Sequence, residues 1–126
     1  MTAERKKLAK RFVKCERWRW MPGMKALYTG DQCHRVTMAD AYGVPAIIRP
    51  PHARWAWPDL TDPATLGCIL ALVRRAYDQS DVYVTPYRKP FGPEQWICWR
   101  LKNDTSSAVG RGSSEAEALL LALEAA

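Results

Sequence analysis

Apolar positions recur with a helical period in three stretches of the chain and alternate in several shorter ones. In residues 59 to 78, Leu66, Ile69, Leu70, Leu72, Val73, Ala76 and Tyr77 fall on one broad arc at about 100° per residue. Gly67, Cys68 and Ala71 make the opposite side small rather than polar. Asp62 is placed to accept hydrogen bonds from the first free amides, and Pro63 sits where its missing N–H costs nothing. The pattern predicts a helix opening at Pro63 and covered on most sides, with Arg74, Arg75 and Asp78 reaching water. This helix is expected to be the packing centre of a single core.

Two further helices flank it. From about residue 3 to 17, Leu8, Ala9, Phe12, Val13 and Cys15 share one arc, and Lys6, Lys7, Lys10, Arg11, Lys14 and Arg17 take the complementary arc, with only Arg5 on the apolar side. At the other end, Ser114-Glu115-Ala116-Glu117 fits a capping box, and Ala118, Leu119, Leu120, Ala122 and Leu123 form a short closing helix. Between the helices lie strand signals. Residues 26–28 and 34–38 read as two short strands around a Gly30-Asp31 turn, with a third strand at 42–48 that Gly43 and Pro45 would confine to an edge or bulge. Residues 82–85 alternate as a half-buried strand, Pro86, Pro90, Gly92 and Pro93 mark a rigid loop, and residues 96–101 return as a strand apolar on both faces until Arg100. A turn at 103–107 leads to a short segment near Ala108-Val109. The predicted fold is α+β, an antiparallel sheet flanked by helices in the order α-β-β-(β)-α-β-β-(β)-α, as one domain over residues 1–126.

Composition narrows the class. The chain has 126 residues, 48% of them hydrophobic, with six Trp and five Tyr. That is the content of a folded globular domain. No run approaches the ~20 apolar residues of a bilayer span, and the charged start lacks the apolar stretch of a secretory signal, so a soluble, non-exported protein is expected. Cys15, Cys33, Cys68 and Cys98 show no Cys-x-x-Cys spacing, and three of them lie in apolar patterns, which fits a reducing cytoplasm. Cys33 and His34 are adjacent and would point to opposite faces of a strand, so no metal site is expected. No cofactor is expected either.

Charge is unevenly placed. Of the net +6, residues 2 to 17 carry +5, as seven Lys and Arg against Glu4 and Glu16. The first helix therefore has a basic outer face, readable as a solvated surface or as a docking surface for phosphates or an acidic partner. Arg17 and Arg19 alternate with Trp18 and Trp20, a pattern that stacks on bases in single-strand binders and that also closes a core beneath the Pro22-Gly23 turn. Residues 50–58 are too proline-rich for helix or central strand and read as a connector, whose Trp55 and Trp57 either fold back on the sheet or offer aromatic anchors. The run from Gly110 to Glu115 lacks the lysine and long preceding strand of a phosphate-binding loop, and Glu115 and Glu117 would repel phosphate, so it reads as a turn and cap. Catalytic groups are thin: His34 and His52 lie far apart, Asp59 and Asp62 are explained by turn and cap geometry, and the cysteines have no recognisable base. An enzyme is not expected.

Trp18-Arg19-Trp20-Met21-Pro22-Gly23-Met24, residues 58–68 and the final Ser114-Glu115-Ala116-Glu117-Ala118-Leu119 together resemble a group of small uncharacterised proteins of bacteriophages and prophages of proteobacteria, akin to the phage αβα-sandwich domain. The resemblance implies helices flanking a sheet and a bacterial host cytoplasm. It transfers no catalytic residues. It further implies a non-catalytic accessory protein that binds and inhibits or modulates a bacterial host protein or ribonucleoprotein, with anti-defence roles such as CRISPR inhibition among the expectations. Partner-binding residues would be Lys6, Lys7, Lys10, Arg11, Lys14 and Arg17, with Trp55 and Trp57 as anchors. One alternative is direct nucleic-acid binding through Lys10, Lys14, Trp18 and Trp20. Another is a structural or assembly role in the virion. Oligomeric state is left open by the sequence.

Overall fold

A computed structural model describes residues 2–28, 32–37, 56–78, 81–88, 90, 92 and 94–126. The fold is α+β. Among the described residues there are three helices and two three-stranded antiparallel sheets, in the predicted element order. Two compact units make up the chain, residues 1–68 and 69–126.

The first unit opens with α1, Ala3–Lys14. Thr2 caps it, its hydroxyl accepting from the Arg5 amide at 3.3 Å. The helix stops three residues short of the expected 17, because Cys15 turns to extended backbone and the chain folds back. The Cys15 amide donates to the Phe12 carbonyl and the Trp18 amide to that of Cys15. Ala9 and Phe12 are buried, Leu8, Val13 and Cys15 half-buried, and every lysine and arginine of the helix is exposed.

Strands β1 (Lys25–Tyr28), β2 (Gln32–Arg35) and β3 (Trp57–Pro58) form the sheet of this unit in the order β2-β1-β3. The β1–β2 hairpin is the predicted one, with β2 beginning two residues earlier than the pattern suggests. Backbone pairing continues past it, since Val36 donates to Met24 and accepts from Gly23. Strand β3 corrects the connector reading at Trp57 and Pro58: Leu27 pairs with Trp57 and Ala26 with Pro58. A proline without an N–H is tolerated there because, among the described strands, β3 lies at the edge. The predicted strand at 42–48, the Gly30-Asp31 turn, and His52 and Trp55 lie outside the described residues.

Helix α2, Pro63–Ala76, starts where the cap signal places it. The boundary between the units falls within it, after Cys68. Its side of small residues is covered in part. Cys68 and Ala71 are half-buried, the Cys68 thiol 3.4 Å from the Pro22 carbonyl oxygen, whereas Gly67 is exposed and a methyl group added there would meet nothing within 4 Å. Glycine has no side chain to remove from water, so the fold gains little by covering position 67. Two residues past the end of the helix, Asp78 takes the positive φ (50°) that asparagine and aspartate tolerate best after glycine.

The second unit builds β4 (Val82–Tyr87), β5 (Gln95–Lys102) and β6 (Thr105–Gly112) into a meander in the order β4-β5-β6, closed by α3 (Glu115–Ala125). Asn103 and Asp104, at φ 53° and 62°, make the two-residue hairpin turn between β5 and β6. Strand β4 runs two residues past the expected end and includes Pro86, again on an edge. Gly110, Arg111 and Gly112 belong to β6 rather than to a turn, which corrects that reading. Glycine is needed at 110 because α3 crosses there: a Cβ would collide with the Ala118 carbonyl oxygen and lie 2.8 Å from the Ala122 nitrogen. Ala118, Leu119, Leu120, Ala122 and Leu123 are fully or almost fully buried, as their spacing predicts. Ser114 caps α3 through the Glu117 amide at 3.2 Å, while the Glu117 carboxylate takes the Ser113 hydroxyl at 3.4 Å, so only half of a capping box forms.

Candidate functional site

The basic helix and Trp57 come together. Lys6 Nζ stands 4.9 Å from the centroid of the Trp57 ring and Lys10 Nζ 6.0 Å, within the range where an ammonium is attracted to an indole face. The two lysines are one helical turn apart, so both can reach the same ring. Trp57 is half-buried in β3, and its buried indole N–H has no acceptor among the described residues. It is therefore a seat for the lysines rather than a projecting anchor. Lys6, Lys7, Lys10, Arg11 and Lys14 line the exposed arc of α1, and Arg17 follows in the turn after it.

Charge is partitioned between the two units. Residues 1–68 hold twelve Lys and Arg against six Asp and Glu, and residues 69–126 hold seven against seven. The whole net charge of +6 thus belongs to the first unit.

The tryptophans beneath α1 serve the core. Trp18 is only 7% exposed, with its ring 5.8 Å from that of Phe12 and edge-on to Trp20 at 5.3 Å. A ring so enclosed offers no face to a base, which removes Trp18 from the nucleic-acid-binding set. Trp20 is half-buried against Ala26 and Ala56. Arg19 turns back to the carbonyl of Trp18 at 2.8 Å.

A second polar cluster holds the start of α2. Asp62 Oδ2 accepts from the Thr65 amide at 3.0 Å and its hydroxyl at 2.7 Å, and Arg35 donates to both carboxylate oxygens, at 2.5 and 3.2 Å. The Arg35 hydrogen bond, helped by Thr65 and opposed by burial, holds the Asp62 carboxyl down to about 2. Thr65 is buried, and its hydroxyl also accepts from the Lys25 amide at 2.9 Å, tying α2 to β1. Burial pushes the Asp59 carboxyl up, but hydrogen bonds from Thr61 and the Lys25 ammonium 3.5 Å away outweigh it and leave it below the usual value. Both aspartates thus have the turn and cap roles read from the sequence. Arg35 had no role in that reading, and no local pattern links positions 35 and 62.

Cys33 is exposed and His34 half-buried, at successive positions of β2 on opposite faces. Among the described residues no three histidine, cysteine or acidic side chains converge on one point. All four cysteines are free thiols. Burial pushes the Cys98 thiol up to about 11 and that of Cys68 in the same direction. No helix among the described residues is long and apolar enough to cross a membrane. Comparison with protein-family models, with curated proteins and with solved structures finds no match to this chain.

Proposed function

We propose that the chain is a non-catalytic, phage-encoded accessory protein that docks through the basic face of α1 on an acidic surface of a bacterial host protein or ribonucleoprotein and blocks or redirects it. The observation that supports this reading is the concentration of the net charge in the first unit, five of its six net positive charges lying in residues 2 to 17, along one capped helix and the turn after it. Such a field accelerates encounter with an anionic partner and orients it. The seating of Lys6 and Lys10 on Trp57 supports it further, because ammonium groups already held in place lose less freedom on binding. The enclosure of Trp18 in the core favours a protein or ribonucleoprotein surface over bare nucleic acid.

The test is affinity isolation of tagged protein from bacterial lysate, with and without nuclease, repeated with Lys7, Lys10 and Lys14 all changed to Glu. A stoichiometric protein retained after nuclease by the wild type and lost by the triple variant is expected. With the purified target, the variant should lower mainly the association rate, by about ten-fold or more at low salt. An unchanged association rate would remove α1 from the interface.

A further inference from the structure

The basic arc of α1 has a geometry beyond its total charge. Residues four apart stack into rows on a helix, and α1 divides into rows of this kind. Glu4-Leu8-Phe12 and Arg5-Ala9-Val13 carry the apolar side chains, with Ala9 and Phe12 buried and Leu8 and Val13 half-buried. Ala3-Lys7-Arg11 and Lys6-Lys10-Lys14 lie side by side on the other half of the helix, and every residue in them is exposed. The groove between these two rows is therefore flanked by Lys6, Lys7, Lys10, Arg11 and Lys14. Residues 2 to 17 also hold two carboxylates, and neither stands in the groove: Glu4 belongs to the row of Leu8, and Glu16 follows the end of the helix.

One wall of the groove is held in place. Lys6 and Lys10 share the Trp57 ring, at 4.9 and 6.0 Å, which keeps that row on the flank beside β3 while both residues stay exposed. Lysine and arginine side chains are donors without acceptors. An occupant must therefore bring negative acceptors and have its own backbone amides satisfied elsewhere. A helix meets both conditions, because its amides bond internally and its surface can carry only carboxylates. Helices also have the matching shape. A ridge of residues four apart on one helix packs into the groove between two such rows of another, with the axes crossing at about −50°.

We propose that the groove between Lys6-Lys10-Lys14 and Lys7-Arg11 receives an acidic helix of the partner, whose Asp or Glu side chains, four residues apart, lie between the two rows of cations. The inference rests on the docking proposed for α1 and names what docks there. A nucleic acid would match the charge, but Trp18 is enclosed in the core and the Trp57 ring is already engaged by lysines, so neither ring offers a face for a base.

The test uses two fluorescently labelled, alanine-based peptides of about 20 residues and identical composition, the length of a helix that spans the groove at a crossing angle. One carries its glutamates in a single row at i, i+4 and i+8; the other spreads them round the helix. Anisotropy is read at low salt with full-length wild type, Lys7→Ala, Lys10→Ala and Arg5→Ala, each variant checked by circular dichroism. Alanine is the best helix former, so these exposed positions accept it. Arg5→Ala removes the same charge from the same helix, but from a row that carries apolar side chains. Expected are about five-fold tighter binding of the row peptide than of the scattered one, a loss of about three- to five-fold with Lys7→Ala or Lys10→Ala, and less than about two-fold with Arg5→Ala. Equal binding of the two peptides, equal losses from all three substitutions, or no binding of either peptide overturns the proposal. So does an oligothymidylate of about 12 nucleotides that binds more tightly than the row peptide through the same lysines, which assigns the groove to a phosphodiester backbone. The docking reading is judged separately: if the peptides are not distinguished but the Lys7, Lys10 and Lys14 triple variant still loses the captured host protein, α1 remains the interface and the acidic helix is removed.

Discussion

Replacing Asp62 tests the junction on which the first unit depends. Asp62→Ala removes the cap on the Thr65 amide, and loss of such a cap costs about 1 kcal/mol. It also removes the acceptor of the Arg35 guanidinium and of the buried Thr65 hydroxyl. The depression of the carboxyl from 3.8 to about 2 would convert to roughly 2.5 kcal/mol at 1.36 kcal/mol per unit, an upper figure. Although the Asp62 side chain is only 15% exposed, Arg35 stands in water and screening reduces the value. The charged and capping contributions overlap, so about 1–2 kcal/mol is expected for Asp62→Ala at neutral pH.

The pH dependence has a definite sign. A carboxyl whose folded value lies below its unfolded value stabilises the fold fully above about pH 5 and loses that contribution as pH falls from about 4 through 2. The difference between wild type and Asp62→Ala, measured by urea unfolding followed by circular dichroism, should therefore be largest at pH 7 and shrink toward pH 2. Asp62→Asn keeps a good cap but loses the charge, so it should fall between the two at pH 7. A neutral-pH difference below about 0.3 kcal/mol, or one that stays constant from pH 5 to 2, would refute the assignment of this network.

The glycines give a paired prediction. Gly110→Ala drives a methyl into the backbone of α3 and should destabilise by about 2–3 kcal/mol, whereas Gly67→Ala enters open space on an exposed helical face and should stabilise by about 0.5–1 kcal/mol; thermal unfolding of both variants checks the contrast. Among the thiols, exposed Cys33 should react first with a maleimide at pH 7.5, and buried Cys98, whose thiolate is suppressed, should react only after unfolding; mass mapping of the labelled protein decides this.

Most of the fold was legible because its signals are local. The Asp62-Pro63 start, the Ser114 cap, the 82–85 alternation and the buried leucines of α3 each depend on residues within a turn or two of one another. What the sequence did not display are matches between distant positions. Arg35 is one of many exposed basic residues until β2 brings it to Asp62, and Gly110 resembles a turn glycine until α3 crosses over it. The Trp57 seat required knowing that a proline-rich segment becomes the edge strand beside α1. The candidate basic surface was legible for the same local reason as the helix, since its arc is set by helical period alone.

The uneven charge makes docking through α1 testable by salt. Residues 2 to 17 carry five of the six net positive charges, so the association rate with an acidic target should fall steeply as ionic strength rises and the screening length shortens toward about 10 Å. The triple change of Lys7, Lys10 and Lys14 to Glu reverses that charge and should flatten the salt dependence together with the rate. A rate that is the same at low and high salt would show that the basic arc does not steer the encounter, whatever the final affinity.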